Sequence, residues 1–254
     1  MSAGVGLDVA LVTAAPLVLT DVSPTVPAEH AADVAALRAG CADALATALA
    51  RGAPPARAVA LGVDERTTVW SRPTGDLRGL GHPQARVDAP AVEPELAVRL
   101  GEALGVSVHD APLPPDLVVV VGLLHAAAPG LPVVGVSVPA AAPAARLAEV
   151  GATLRRWADD AGGRTLVAAP GDLSAARDTT SPGYLVDGAL DADERAVAAL
   201  RAGDAVALAG LGPTEAARVA ARGWAPLVVA LAAGADPLDV THVVTRGVGH
   251  AVGA

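Results

Sequence analysis

Two spacings alternate along the chain. Residues 7–13, 57–63, 117–121, 132–138 and 164–169 are short apolar runs with little polar interruption. Strands buried on both faces of a sheet read this way. Between these runs, apolar residues recur at steps of three and four. Residues 28–50 carry Val34, Leu37, Cys41, Leu45 and Leu49 on one stripe, and residues 143–160 carry Leu147, Val150, Leu154 and Trp157. Such stripes predict helices that bury one face. Residues 93–104, 189–202, 213–222 and 225–233 read as further helices, the segments at 189 and 213 being entered through acidic turns. Residues 106–109 and 239–245 read as short strands, and residues 67–70 as an extended piece. Segment 72–90 is rich in Gly, Pro and Arg without a sustained period, and reads as a long surface loop. No repeat or linker interrupts the pattern. It predicts a single α/β domain over residues 1–254, with a mostly parallel or mixed central sheet and helices on both faces.

Composition bears on partners more than on fold. The chain is 52% hydrophobic, carries a net charge of −9, and its 18 basic residues are all arginine. Beyond Arg155-Arg156 they form no cluster, so a nucleic-acid partner is not expected. Cys41 is the only cysteine. An intrachain disulfide and a cysteine-based metal site are therefore excluded, and a cytoplasmic location is expected. Residues 1–19 are apolar but include Asp8 and no basic leader, so no secretory signal is expected there. The apolar stretch 117–138 is broken by Ala128-Pro129-Gly130-Leu131-Pro132, which reads as a turn between two strands, so no membrane span is expected. The apolar excess would suit the buried face of a homodimer.

Candidate chemistry gathers behind the run 164–169, in Gly171-Asp172-Leu173-Ser174-Ala175 and the Ser181-Pro182-Gly183-Tyr184 that follows. A polar, glycine-containing loop between a strand and a helix is where open α/β folds place ligands. None of the six histidines (His30, His82, His109, His125, His242 and His250) forms an HxH, HxxxH or HExxH pair, so no metal site is written into one element. Gly135-Val136-Ser137-Val138-Pro139 has proline where a nucleophile elbow needs its second glycine. The pairs Gly4-Val5-Gly6 and Gly247-Val248-Gly249 lack the third glycine of a dinucleotide fingerprint. Asp172, Asp178, Asp187, Asp191 and Asp193 offer oxygen ligands to a hard cation, but no EF-hand spacing is present and helix capping is the favoured reading of Asp187 to Glu194.

In order along the chain, Leu131-Pro132-Val133-Val134-Gly135-Val136-Ser137-Val138, Gly171-Asp172-Leu173-Ser174, Pro182-Gly183-Tyr184 with Asp187-Gly188, and Gly247-Val248-Gly249-His250 resemble segments of the class III extradiol ring-cleavage dioxygenases, in their catalytic-subunit (LigB-type) superfamily. The resemblance covers most of the chain. It implies an α/β fold whose relatives hold Fe(II) with two histidines and a glutamate, and use a further histidine as acid and base on a catecholic substrate. At the matching places this chain has Ala14 in Thr13-Ala14-Ala15-Pro16, Val63-Asp64, Asp116-Leu117-Val118, and Ala175 where the motif Gly-Asp-Leu-Ser-His ends in histidine. No carboxylate stands near Trp224-Ala225-Pro226, and Glu215 precedes it. Alanine, valine and leucine neither ligate iron nor move protons.

The resulting expectation is a divergent LigB-type domain, a pseudoenzyme without a metal or other cofactor. It would bind a small molecule, or serve a regulatory or structural role. Residues 14–17, 63–66 and 172–177 are expected to meet at one cleft, with Asp64, Asp172, Ser174, Tyr184 and His250 as pocket candidates. The alternative is an active extradiol-type dioxygenase or related oxidoreductase, using Fe(II) in a rearranged site into which His82 or His250 swings.

Overall fold

The computed structural model describes residues 6–20, 22, 25–234 and 236–254. Gly4, Val5 and Pro24 lie outside them. Four strands form the parallel centre of an eight-stranded sheet: β1 (Gly6–Val12), β2 (Arg57–Val63), β7 (Val133–Val138) and β8 (Arg164–Pro170), in the order β7-β2-β8-β1. Beyond β7, β3 (Thr68–Trp70) pairs antiparallel, followed by the two-residue β6 (Val108–His109). Beyond β1, β10 (Val248–Gly253) and β9 (Val240–Thr245) add an antiparallel ribbon. The sheet is therefore mixed, and parallel where its strands are most deeply buried.

Residues alternate between two cores. Val9, Leu11, Val59, Leu61, Val134 and Val167 point to one face. There they meet α2 (Pro94–Leu104), α4 (Ala144–Ala161), α5 (Ala189–Ala202) and α8 (Trp224–Ala232). Ala10, Val12, Ala58, Ala60 and Leu166 point to the other, against α1 (Ala28–Ala50) and α3 (Pro115–Ala127). Two short helices, α6 (Ala205–Ala209) and α7 (Gly212–Arg218), fill the approach to α8. The expected helix at 213–222 is thus shorter, ending near Ala220, whose φ is +55°.

Two sequence expectations are corrected. The run 117–121 is no strand but the middle of α3, so four of the five apolar runs enter the central sheet, and 128–132 turns a helix into β7. Pro114-Pro115 starts this helix, with proline at its first position, where the missing N–H costs nothing. Val118 to Val121 are buried all round, because the helix lies between the sheet and an outer hairpin. Apolar on every side, it carries no period that would distinguish it from a buried strand. Small residues on the sheet make room for it: a Cβ on Gly62 would stand 2.8 Å from Leu117 Cγ, and one on Gly135 3.1 Å from Leu117 Cδ1.

The outer hairpin is the second correction. Segment 72–90 is no open loop. It forms β4 (Thr74–Leu77) and β5 (His82–Asp88), joined by a 3-10 turn that ends at Gly81 with φ +83°. Leu77, Ala85 and Val87 are buried against α3. Among the described residues, no helix is long and apolar enough to cross a membrane.

Candidate functional site

The loops after β1, β2 and β8 converge at the carboxyl ends of the central strands, as expected of an open α/β sheet. They enclose a cleft of about 230 Å³. Ala14, Ala15 and Pro16 form one wall, Val63 another, and Asp172, Leu173 and Ala175 the floor. Asp116, from the first turn of α3, and Arg222 and Gly223, from the entry to α8, complete it.

The loop carrying Asp172 is held between three neighbours. Gly171 N–H donates to Val12 O at 2.6 Å, and Ala251 N–H donates to Gly171 O at 2.8 Å. Leu173 and Ser174 exchange backbone bonds with Gly249, while Gly223 N–H donates to Asp172 O at 2.7 Å. The last contact requires glycine for space, since a Cβ on Gly223 would lie 2.6 Å from the Asp172 backbone.

Within this frame the Asp172 carboxylate makes three hydrogen bonds. Thr13 Oγ1 donates to Oδ1 at 2.5 Å, Ala14 N–H to Oδ2 at 2.7 Å, and His250 Nδ1 stands 3.1 Å from Oδ1. Thr13 Oγ1 is also 3.2 Å from His250 Nδ1. A carboxylate has no proton to give and the threonine proton is committed to it, so the imidazole proton resides on Nδ1. Burial alone would push the Asp172 carboxyl up. The hydrogen bond and charge of His250, with Thr13 and Ala14, outweigh it and hold the group below the ordinary carboxylate range.

Asp116 behaves oppositely. Burial raises its pKa, and the neighbouring Asp172 and Asp64 add to the rise against the opposing Arg222. Arg222 Nη2 lies 2.9 Å from Asp116 Oδ2, its side chain two-thirds exposed at the mouth of the cleft. A carboxyl raised on folding favours the folded state most at low pH and loses that contribution as pH rises through its folded value. Asp116→Asn is therefore expected to increase stability at neutral pH, by about 0.5–1 kcal/mol given the half-open setting of the pair. The gain should fade below the carboxylate range. Urea denaturation at pH 7 and pH 4 would measure both.

Of the five pocket candidates, only Asp172 lines the cleft. His250 is buried behind it on β10, 2% exposed, and acts on Asp172 rather than on the cavity. Asp64 sits one residue beyond the lining Val63, bonded through its N–H to Val138 O at 3.2 Å. Ser174 is buried on the far side of the loop, where its N–H donates to Asp193 Oδ1 at 2.8 Å and its hydroxyl has no partner. Tyr184 is 75% exposed at φ +58°, on a surface loop outside the cleft. Glu215 is also on the surface, paired with Arg218 and Arg195. Thr13 and Arg222 are the additions that no motif marked. His82 begins β5 on the outer hairpin, away from the cleft lining.

No protein-family model matches the chain, and no curated protein matches it. The fold is similar to a solved structure. The crystal structure of the uncharacterized protein JW3007 from Escherichia coli K12 superposes with a TM-score of 0.57, covering 85% of this chain and 89% of that one at 21% identity. At that identity the likeness concerns the fold alone.

The donor set of the cleft can be compared with the needs of non-haem iron. Two imidazoles and a carboxylate must aim lone pairs at one point. The lining supplies the carboxylates of Asp116 and Asp172, one ion-paired and the other bonded on both oxygens, and no histidine. His250 directs Nδ1 to Asp172. Among the described residues no group of three or more histidine, cysteine or acidic side chains is placed to hold a metal ion. These residues do not fit an Fe(II) facial triad.

Proposed function

We propose that this protein is an extradiol-dioxygenase-like (LigB-type) domain that binds a small molecule in the cleft at the carboxyl ends of β1, β2 and β8, without Fe(II)-dependent ring cleavage. The observation that carries this reading is the cleft lining. It sits where the resemblance would put the metal centre, yet it presents Ala14, Val63 and Ala175 around two carboxylates and one guanidinium. Small apolar walls with a few fixed polar groups suit a compact organic ligand. Arg222, at the mouth, can engage a polar group of that ligand once it turns from Asp116. A cytoplasmic, self-associating protein belongs to the same proposal. Tyr184, Leu185 and Leu190 are exposed near one another in sequence and offer an apolar patch for a second copy.

One observation favours a second reading, an active oxidoreductase or related enzyme with a rearranged site. Asp172 is a carboxylate at the cleft floor bonded to a buried histidine, and groups whose pKa is shifted by such a partner cluster at functional sites. A catechol ring-opening assay, followed by absorbance with Fe(II) supplied anaerobically before oxygen is admitted, separates the two. The first reading expects no turnover above free iron. Turnover abolished by Asp172→Asn would establish the second.

A further inference from the structure

A cluster of charged side chains ties the cleft floor to α5 and to the β9–β10 ribbon. Asp193 of α5 is 2% exposed. Its Oδ1 accepts the Ser174 N–H at 2.8 Å, and its Oδ2 accepts from Arg177 Nη1. His242 of β9 completes the cluster, with Nε2 3.1 Å from Arg177 Nη1 and 3.6 Å from Asp193 Oδ2. Gly249 of β10 leaves room for it, since a Cβ there would collide with Asp193 Oδ2 and crowd His242 Nε2. Ser174 and Arg177 belong to the loop that gives Asp172, Leu173 and Ala175 to the cleft. The His242 side chain keeps 23% of its surface open, so its ring exchanges protons with solvent while Asp193 does not.

A guanidinium has donors only, so His242 Nε2 accepts from Arg177 and the imidazole proton resides on Nδ1. Proton uptake at Nε2 ends that arrangement. The acceptor is lost, and a second cation then stands against Arg177. Among the described residues Asp193 is the only carboxylate within ion-pair distance of either group. Its Oδ1 is committed to Ser174, so Arg177 and the imidazolium compete for Oδ2. The other charged groups nearby are engaged elsewhere. Asp178 accepts from Thr180 and Ser181, and Arg201 donates to Val240 O at 2.8 Å. On β10, Gly249 brings no side chain, and His250 points to the opposite face, where it meets Asp172.

We propose that Asp193, Arg177 and His242 form a pH-sensitive latch on the cleft floor, closed while His242 is neutral and released when it takes up a proton. The released state binds one proton more than the closed one, so acidification favours release. The latch concerns the loop itself and does not depend on what the cleft binds. Its test is amide hydrogen exchange of the full chain at about pH 8 and about pH 5, the span over which imidazoles change charge. Rates are corrected for the intrinsic effect of pH, and the amides of β8 serve as the internal reference. In the wild type, residues 174–184 are expected to lose protection about fivefold or more at the lower pH, by local opening. His242→Gln keeps an acceptor for Arg177 but takes up no proton, and should hold its protection at both pH values. Arg177→Gln removes the fastened group, and should show the low protection at both. Equal protection of wild type at the two pH values would overturn the proposal. So would an equal loss in His242→Gln, which would assign the effect to His250 or to a carboxyl group.

Discussion

Asp172→Ala is expected to destabilise the fold by about 3–5 kcal/mol, because three donors lose a buried charged acceptor and each one left unsatisfied costs about 1–3 kcal/mol. The substitution strips acceptors from three donors at once: the Thr13 hydroxyl, the Ala14 N–H and the His250 Nδ1 proton. His250 is 2% exposed and has no route to water that would replace the lost bond cheaply. Asp172→Asn keeps the shape and should cost less, while still presenting one amide N–H to a group that donates. The pH dependence gives an independent reading. The Asp172 carboxyl is lower in the folded chain than its unfolded value near 3.9. Its stabilisation is thus complete above that unfolded value and is lost as pH falls through the folded one. The gap between wild type and Asp172→Asn should therefore narrow on acidification. Urea denaturation followed by circular dichroism would show it, and a loss below 1 kcal/mol for Asp172→Ala at pH 7 would mean that the network is ornamental.

Leu117→Ala should cost about 2–5 kcal/mol, through lost burial and the cavity left behind. Leu117 is fully buried where α3 crosses the sheet, its side chain filling the space that Gly62 and Gly135 leave open. The two glycines lie in strands and cannot close that space by a side-chain shift, so the cavity should persist. The first turn of α3 also presents Asp116 to the cleft. Ligand affinity should accordingly fall along with stability in Leu117→Ala, whereas a core change on the other face, such as Leu154→Ala, should lower stability alone. Parallel denaturation and ligand thermal-shift curves would separate the two effects.

The parallel centre of the sheet was legible because strands covered on both faces lose most polar positions, and β1, β2, β7 and β8 keep only Asp8, Arg57, Ser137, Arg164 and Thr165. The same signal misplaced residues 117–121. Valine favours strands, and a helix sandwiched between sheet and hairpin has no polar face to reveal its period. Pro114-Pro115 was the available cue for a helix start. In segment 72–90, the alternation of Ala85 and Val87 with exposed Arg86 and Asp88 marks the hairpin strand, but Gly and Pro on either side masked it.

The cleft was placed by the rule that ligands gather at strand carboxyl ends, and Asp172 by the polar loop behind β8. The other candidates lie off the cleft lining for geometric reasons. Ser174 and His250 belong to elements that turn inward, and Tyr184 to one that turns outward. Arg222 could not be inferred, because its place in the cleft depends on where α8 begins and on the fit of Gly223 against Asp172. Thr13 was in view only as part of a turn. Its hydroxyl matters because β10 brings His250 beside it across 237 residues.

The central claim is that the cleft at the carboxyl ends of β1, β2 and β8 serves a ligand and not an iron centre. Anaerobic calorimetric titration of Fe(II) into the full chain tests it most directly. The account predicts weak heat without a one-to-one end point, unchanged by His250→Gln or His82→Gln in variants shown to be folded. A tight one-to-one isotherm that either substitution abolishes would contradict it.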